Sequence, residues 1–142
     1  MKFFKVIFGA LALLFVIWLG FGMIWWQSNH DEVLQAVDQA MLEGETIGKD
    51  SSDAECLQTY LDIMRDCREM TCSIQNQVFL KACLEHSRAT GTLCAQTPSQ
   101  SELIQLAKWA SKLCLDSNIQ NSHCAAGLQE VAIYCSASTL GP

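Results

Sequence analysis

The stretch Cys67-Arg-Glu-Met-Thr-Cys72 sets two thiols on either side of a methionine. Three chemistries suit such a group. Cys67, Met70 and Cys72 are soft donors of the kind copper(I) prefers, a reduced pair is able to exchange disulfides, and an oxidised pair is a staple. Exchange needs a thiolate, ordinarily the first cysteine of C-x-x-C at a helix N-terminus, where the dipole lowers its pKa. The chain contains no C-x-x-C. Cys72 and Cys124 fall near predicted helix starts, yet each has an obvious bridging partner. The copper reading requires the reduced state, and its rival, oxidation, follows from an exported location and an even cysteine count.

Other reactive side chains fall into no catalytic pattern. His30, His86 and His123 have no ligand-like spacing to the cysteines, apart from His123 directly beside Cys124, so no metal or other cofactor is expected. G-x-S-x-G, H-E-x-x-H and a phosphate-cradling Gly-rich loop are all missing. Asp62 and Asp66 stand one helical turn apart, but Arg65 and Arg68 neighbour them, which describes a solvated face better than an acid/base pair. Trp109, flanked by Lys108 and Lys112, is the single tryptophan outside the first 26 residues and the best interface anchor. A non-enzymatic role is expected.

The elements that carry these residues are helices. Ser52, three before Glu55, forms a capping box for a helix reaching about Arg68; Glu69-Met70-Thr71 allows a tight reversal; a second helix runs from Thr71 to about Ala89, stopped by Thr90-Gly91. Pro98 and Ser99, the latter three before Glu102, open a third helix that fades at Asp116-Ser117-Asn118. Asn121 or Ser122 caps a fourth, ending near Ser136. No alternating strand pattern competes. The two hairpins, residues 52–91 and 92–142 with its small-residue tail, form an approximate internal duplication.

Cys56 and Cys67, Cys72 and Cys83, and Cys124 and Cys135 are each eleven positions apart. Eleven residues make three helical turns plus about 20°, so both thiols of a pair project from one face about 16 Å apart. The intervening in-facing positions are Tyr60 and Ile63, Asn76 and Phe79, and Leu128 and Val131. In the third helix Leu103, Ala107, Ala110 and Cys114 keep the step. Eight cysteines permit 105 pairings, and antiparallel hairpins with in-facing thiols leave a nested one. Cys67–Cys72 and Cys114–Cys124 clip the two turns, Cys56–Cys83 closes the open end of the first hairpin, and Cys94 meets Cys135. Four such bridges at about 2–4 kcal/mol each exceed the usual stability of a domain this small.

Through CLQTYLDIMRDC (Cys56 to Cys67) and CSIQNQVFLKAC (Cys72 to Cys83) this layout resembles the twin-cysteine helical hairpins of coiled-coil-helix-coiled-coil-helix proteins of the mitochondrial intermembrane space. One more residue separates the cysteines here than is usual there. The likeness is of architecture.

Location follows from the N-terminus. Lys2 and Lys5 precede Val6 to Trp26, 21 residues without a charge, about the length of a membrane-spanning helix. Basic residues before the run and His30-Asp31-Glu32 after it place the N-terminus in the cytoplasm and the cysteines outside. A cleaved signal peptide, with small Gly20 and Gly22 as the processing signal, predicts the same export, but the run is longer than a signal h-region. The charged start and single long apolar run match a bacterial anchor better than an arginine-rich amphipathic presequence.

The expected organisation is therefore a retained signal anchor over 1–26, a juxtamembrane segment over 27–51 and the two hairpins. In the juxtamembrane segment Val33, Ala36, Val37, Ala40 and Met41 mark a short amphipathic helix, capped by Asn29 and Glu32, before a linker at Gly44 to Ser51. Residues 27–142 carry seven Lys/Arg against fifteen Asp/Glu, which excludes nucleic acid as a partner. The expected partners are the bilayer, through residues 6–26, and an envelope protein. Small residues Gly9, Ala10, Ala12, Gly20 and Gly22 on the anchor would also permit a homodimer. The fold class is all-α, with the domain displayed in the periplasm from the inner membrane as a binding, adaptor or inhibitor module. The alternative is thiol exchange or copper(I) handling by Cys67, Met70 and Cys72.

Overall fold

A computed structural model describes residues 2–139, with side chains described from 14 to 24 and from 33 to 138. Seven helices follow in order: α1 (Lys2–Asp50), α2 (Asp53–Asp66), α3 (Met70–His86), α4 (Thr92–Gln96), α5 (Leu103–Asp116), α6 (Cys124–Gly127) and α7 (Gln129–Thr139). No strand occurs among the described residues. The chain divides into two compact units, residues 1–35 and 36–142.

In the first unit the described stretch Leu14 to Ile24 is exposed throughout, with Trp18 76% and Phe21 75% exposed. Over the described residues no helix is long and apolar enough to cross a membrane. The expected span lies only partly within them, since the side chains of 6–13 and of Trp25 and Trp26 fall outside, and the separate juxtamembrane helix expected to start at Asn29–Glu32 does not begin there, because α1 runs unbroken through these residues.

The second unit is the cysteine domain together with the last part of α1. Gly44 and Gly48, expected to break the helix into a linker, do not: α1 continues to Asp50. The reason is a close approach. A Cβ on Gly44 would meet the Phe79 carbonyl oxygen at 2.5 Å and the Ala82 Cβ at 2.9 Å, and one on Gly48 the Cys83 carbonyl oxygen at 2.5 Å. The two glycines let α1 lie directly on the backbone of α3. The contact outweighs the helix-propensity cost of about 1 kcal/mol per glycine.

At the start of α2 the capping box forms as its sequence predicts. The Ser52 hydroxyl receives the Glu55 N–H at 3.3 Å, and the Ser52 N–H donates to the Glu55 carboxylate at 2.6 Å. That bond, with the one from the Ser52 hydroxyl, holds the Glu55 carboxyl below its usual range. Helix α2 ends at Asp66, just short of the expected Arg68, and α3 pairs with it. Helix α3 stops at His86 because Ser87 turns extended, its hydroxyl donating to the Leu84 carbonyl at 2.9 Å. Packed also against α6 and α7, α3 is the central helix. Tyr60, Met64, Leu80, Leu84, Leu128 and Val131 are wholly enclosed.

Hairpin two differs more from expectation. The Ser99 and Glu102 pair makes a turn ahead of the helix, with the Glu102 N–H on the Ser99 carbonyl at 2.9 Å, and α5 begins at Leu103. A short helix, α4, occupies the segment before it. Helix α5 closes as Asp116-Ser117-Asn118 suggested. Asn118 takes a left-handed φ of 58°, and the Ile119 N–H reaches back to the Cys114 carbonyl at 2.9 Å.

The expected fourth helix is broken into α6 and α7. At the break the Tyr60 hydroxyl donates to the Cys124 carbonyl at 2.8 Å, occupying the acceptor that a continuing helix would offer the Leu128 N–H, which turns to the Ala126 carbonyl. Gly127 has no side chain to keep the Tyr60 ring out. A phenol from hairpin one thus interrupts a helix of hairpin two, and the internal duplication stops there.

Candidate functional site

All eight cysteines are bridged, in the nested arrangement: Cys56–Cys83, Cys67–Cys72, Cys94–Cys135 and Cys114–Cys124. Cys56–Cys83 shares the open end of hairpin one with a second tie. The buried Asp53 carboxylate accepts the Thr90 N–H at 3.1 Å and the Thr90 hydroxyl at 2.6 Å, while the Asp53 N–H donates to the Arg88 carbonyl at 3.1 Å. Asp53 escaped the sequence reading, since nothing local to it announces a partner 37 residues on.

At the opposite end Cys67 is buried and Cys72 half-buried, while Met70 is 66% exposed. The Cys67 sulfur lies 3.6 Å from the Ser73 hydroxyl, itself directed to the Glu69 carbonyl at 3.2 Å. Asn121 joins this turn to hairpin two: its amide donates to the Cys67 carbonyl at 2.7 Å and to the Ser73 hydroxyl at 3.3 Å, and its oxygen receives the His123 N–H at 2.9 Å. Cys67–Cys72 thus sits inside a hydrogen-bonded junction of the two turns. Beside it Arg65, Arg68 and His123 line a polar cleft of about 520 Å³. Arg65 is held by Asp62 at 3.1 Å on an exposed face, where such a pair stabilises little. Among the described residues no cluster of three or more His, Cys, Asp or Glu is placed to hold a metal ion.

The predicted interface trio comes together on α5. Trp109 is half-buried, its ring against the core, and with Lys108 and Lys112 it lines a shallow hollow beside Pro98. Lys112 is engaged by Asp116 at 2.6 Å.

The in-facing register expected of α5 needs correction. Leu106, Ala110 and Cys114 are its buried residues, whereas Leu103 is 72% exposed and Ala107 is exposed. Ile63 of α2 is likewise 40% exposed. The apolar residues of α5 run from Trp109 on one side to Leu115 on the other, about 240° of the helix circumference at 100° per residue, more than one packed face uses. The surplus is a stripe of Leu103, Ile104 and Leu115, each more than 70% exposed, with Ala107 and Ser111 between. Of the four residues expected to face inward, Ala110 and Cys114 do, and Leu103 and Ala107 lie on the outer edge of the apolar arc.

Fold and bridges together define a disulfide-stapled helical domain, with two knit hairpins and an α1 segment laid on the central helix. No protein family matches the chain, and comparison with characterised proteins and with solved structures found nothing similar.

Proposed function

We propose that this is a membrane-anchored, periplasmic, disulfide-rich helical domain that acts by binding, as an adaptor or inhibitor of a cell-envelope protein, without catalysis. The supporting observation is that every thiol is consumed in a bridge while the apolar stretch Leu14 to Ile24 stays uncovered. Four bridges suit an oxidising compartment. Exposed apolar side chains all around a helix call for lipid or a partner surface. With Lys2 and Lys5 ahead of it, the 21-residue run Val6 to Trp26 is read as the anchor.

The rival reading, thiol exchange or copper(I) handling, needs Cys67 and Cys72 reduced beside Met70. The junction around Asn121 favours the staple, because it buries the Cys67 sulfur away from an incoming disulfide or ion.

The test is expression in a bacterium, followed by alkaline extraction of membranes, protease treatment of spheroplasts, and alkylation before and after reduction. The expected result is a chain that resists extraction, is digested from outside up to its anchor, and alkylates at no cysteine until reduced. Release by alkali would remove the anchor from this account. Free Cys67 and Cys72 in the purified chain would replace the staple with the thiol or copper reading.

A further inference from the structure

We infer that the cleft between α1 and α3 is a peptide-binding site, which takes a short extended segment of the partner protein carrying a basic side chain. The inference deepens the binding role proposed above and rests on it. The cleft encloses about 460 Å³ and runs from Ala36 to Glu43 on α1 and from Cys72 to Phe79 on α3, with Ile63 of α2 at its border. It exists because of the glycines beside it. Gly44 and Gly48 bring α1 onto the backbone of α3. The preceding positions of the same i, i+4 row are Ala40 and Ala36, whose methyl groups leave the space between the helices unfilled.

An unsatisfied amide says what enters. Asn76 lines the cleft, is 4% exposed, and its Nδ2 has no partner among the described residues. A buried donor without an acceptor destabilises the free domain, and a ligand oxygen removes that penalty. The asparagine side chain holds a donor and an acceptor on one planar group, the same pair that a peptide unit offers, and its χ2 turns easily to present either. Gln39 on α1 and Gln75 on α3 add a primary amide to each wall. Such walls match the N–H and C=O groups of a main chain, while Ile63 and Phe79 give apolar surface for one side chain. The cleft follows each helix for two turns, about 10 Å. An extended chain advances about 3.3 Å per residue, so about three residues cover it.

Charge sets the remaining feature of the segment. Glu43 is the one charged residue of the lining, and neither ion pair among the described residues uses it. Residues 27–142 carry fifteen acidic side chains against seven basic ones. A carboxylate or phosphate ligand is therefore repelled, and a lysine or arginine next to the bound residues is attracted.

The experiment pans a phage library of random seven-residue peptides on the full chain in non-ionic detergent, then measures the recovered peptides by fluorescence anisotropy. Peptides enriched in Lys or Arg are expected. Asn76→Leu should bind them about tenfold more weakly, as should Ala36→Leu, which fills the cleft from the other wall at a half-buried position. Glu43→Gln should weaken them about threefold, and Met70→Glu, on another exposed site, should bind them as wild type does. In a chain labelled with 15N-asparagine the side-chain resonance of Asn76, assigned by its absence in Asn76→Leu, should shift when peptide is added. A purely structural asparagine would not respond. Peptides bound alike by wild type, Asn76→Leu and Ala36→Leu would overturn the inference and leave the binding role to another surface. A panning that recovers no peptide, or only acidic ones, would overturn it too. Alkaline extraction and alkylation test the anchored, disulfide-bonded module separately, so its failure and that of the cleft are told apart.

Discussion

Single residues join the hairpins at points that local sequence does not reveal. The bond from the Tyr60 hydroxyl to the Cys124 carbonyl spans 64 positions and is buried at both ends. Tyr60→Phe removes it and leaves the carbonyl unpaired, with an expected loss of about 1–2 kcal/mol in urea unfolding without reductant. Gly127→Ala drives a methyl group into the same hydroxyl and should cost more. In the Tyr60→Phe background that cost should shrink without vanishing, because the hydroxyl oxygen is gone while the ring Cζ stays 2.8 Å from the added Cβ; additive costs in the cycle would mean the hydroxyl is not what the methyl group meets. Burial raises the Tyr60 pKa above its ordinary value near 10. Below pH 10 both folded and unfolded phenols are protonated. Above it the unfolded chain ionises first, so stability falls as pH rises, and Tyr60→Phe should flatten that fall. Asn76 is the opposite case, a buried amide whose Nδ2 has no partner among the described residues. Asn76→Leu, similar in size, is expected to raise the unfolding midpoint by the equivalent of about 1 kcal/mol, and a lowered midpoint would show that the amide is needed. At this scale the Ser52–Glu55 box was legible because both partners lie within one turn. The Asp53–Thr90 and Asn121–Cys67 ties were not, because their partners are set by the tertiary fold.

Elements were legible where pattern and packing agree. Helices α2 and α3 and their in-facing residues Cys56, Tyr60, Phe79 and Cys83 follow from the eleven-residue spacing, and all four are buried. The end of α1 misled because glycine carries two signals, poor intrinsic helicity and permission for close packing, and sequence shows only the first. Gly48→Ala separates them. Propensity alone predicts a gain of about 1 kcal/mol. The Cys83 carbonyl in the way predicts a net loss of about 1–2 kcal/mol as α1 is pushed off α3. A rise in thermal midpoint on this substitution would show that α1 does not rest there. Helix α5 misled for another reason. Its apolar arc is too wide for one face, and periodicity does not say which edge of a wide arc meets the core. The excess at Leu103, Ile104 and Leu115 becomes readable only once Leu106, Ala110 and Cys114 are seen to hold the inner face.

The whole domain depends on covalent closure, since residues 36–142 are few enough that a hydrophobic core alone is thin. The pairing of the cysteines was legible for a geometric reason: thiols one helix face apart, on antiparallel helices joined by short turns, have few partners within bridging distance. The bridges are not equivalent. Cys67–Cys72 spans 5 positions and Cys114–Cys124 spans 10, while Cys56–Cys83 spans 27 and Cys94–Cys135 spans 41. The short pair close turns that the chain would make in any case. The long pair tie segments that would otherwise wander apart in the unfolded state. On loop-closure entropy alone, Cys94–Cys135 should stabilise by about 2 kcal/mol more than Cys67–Cys72. Paired Cys→Ala variants, unfolded in urea without reductant, are therefore expected to lose stability in the order 94/135, 56/83, 114/124, 67/72. The Asn121 junction remains when Cys67 and Cys72 are replaced, because its strongest bond reaches a backbone carbonyl. If the 67/72 variant instead proves the least stable, that bridge holds the two turns together as a unit, and the stability of the domain is centred on the junction and not on its long loops.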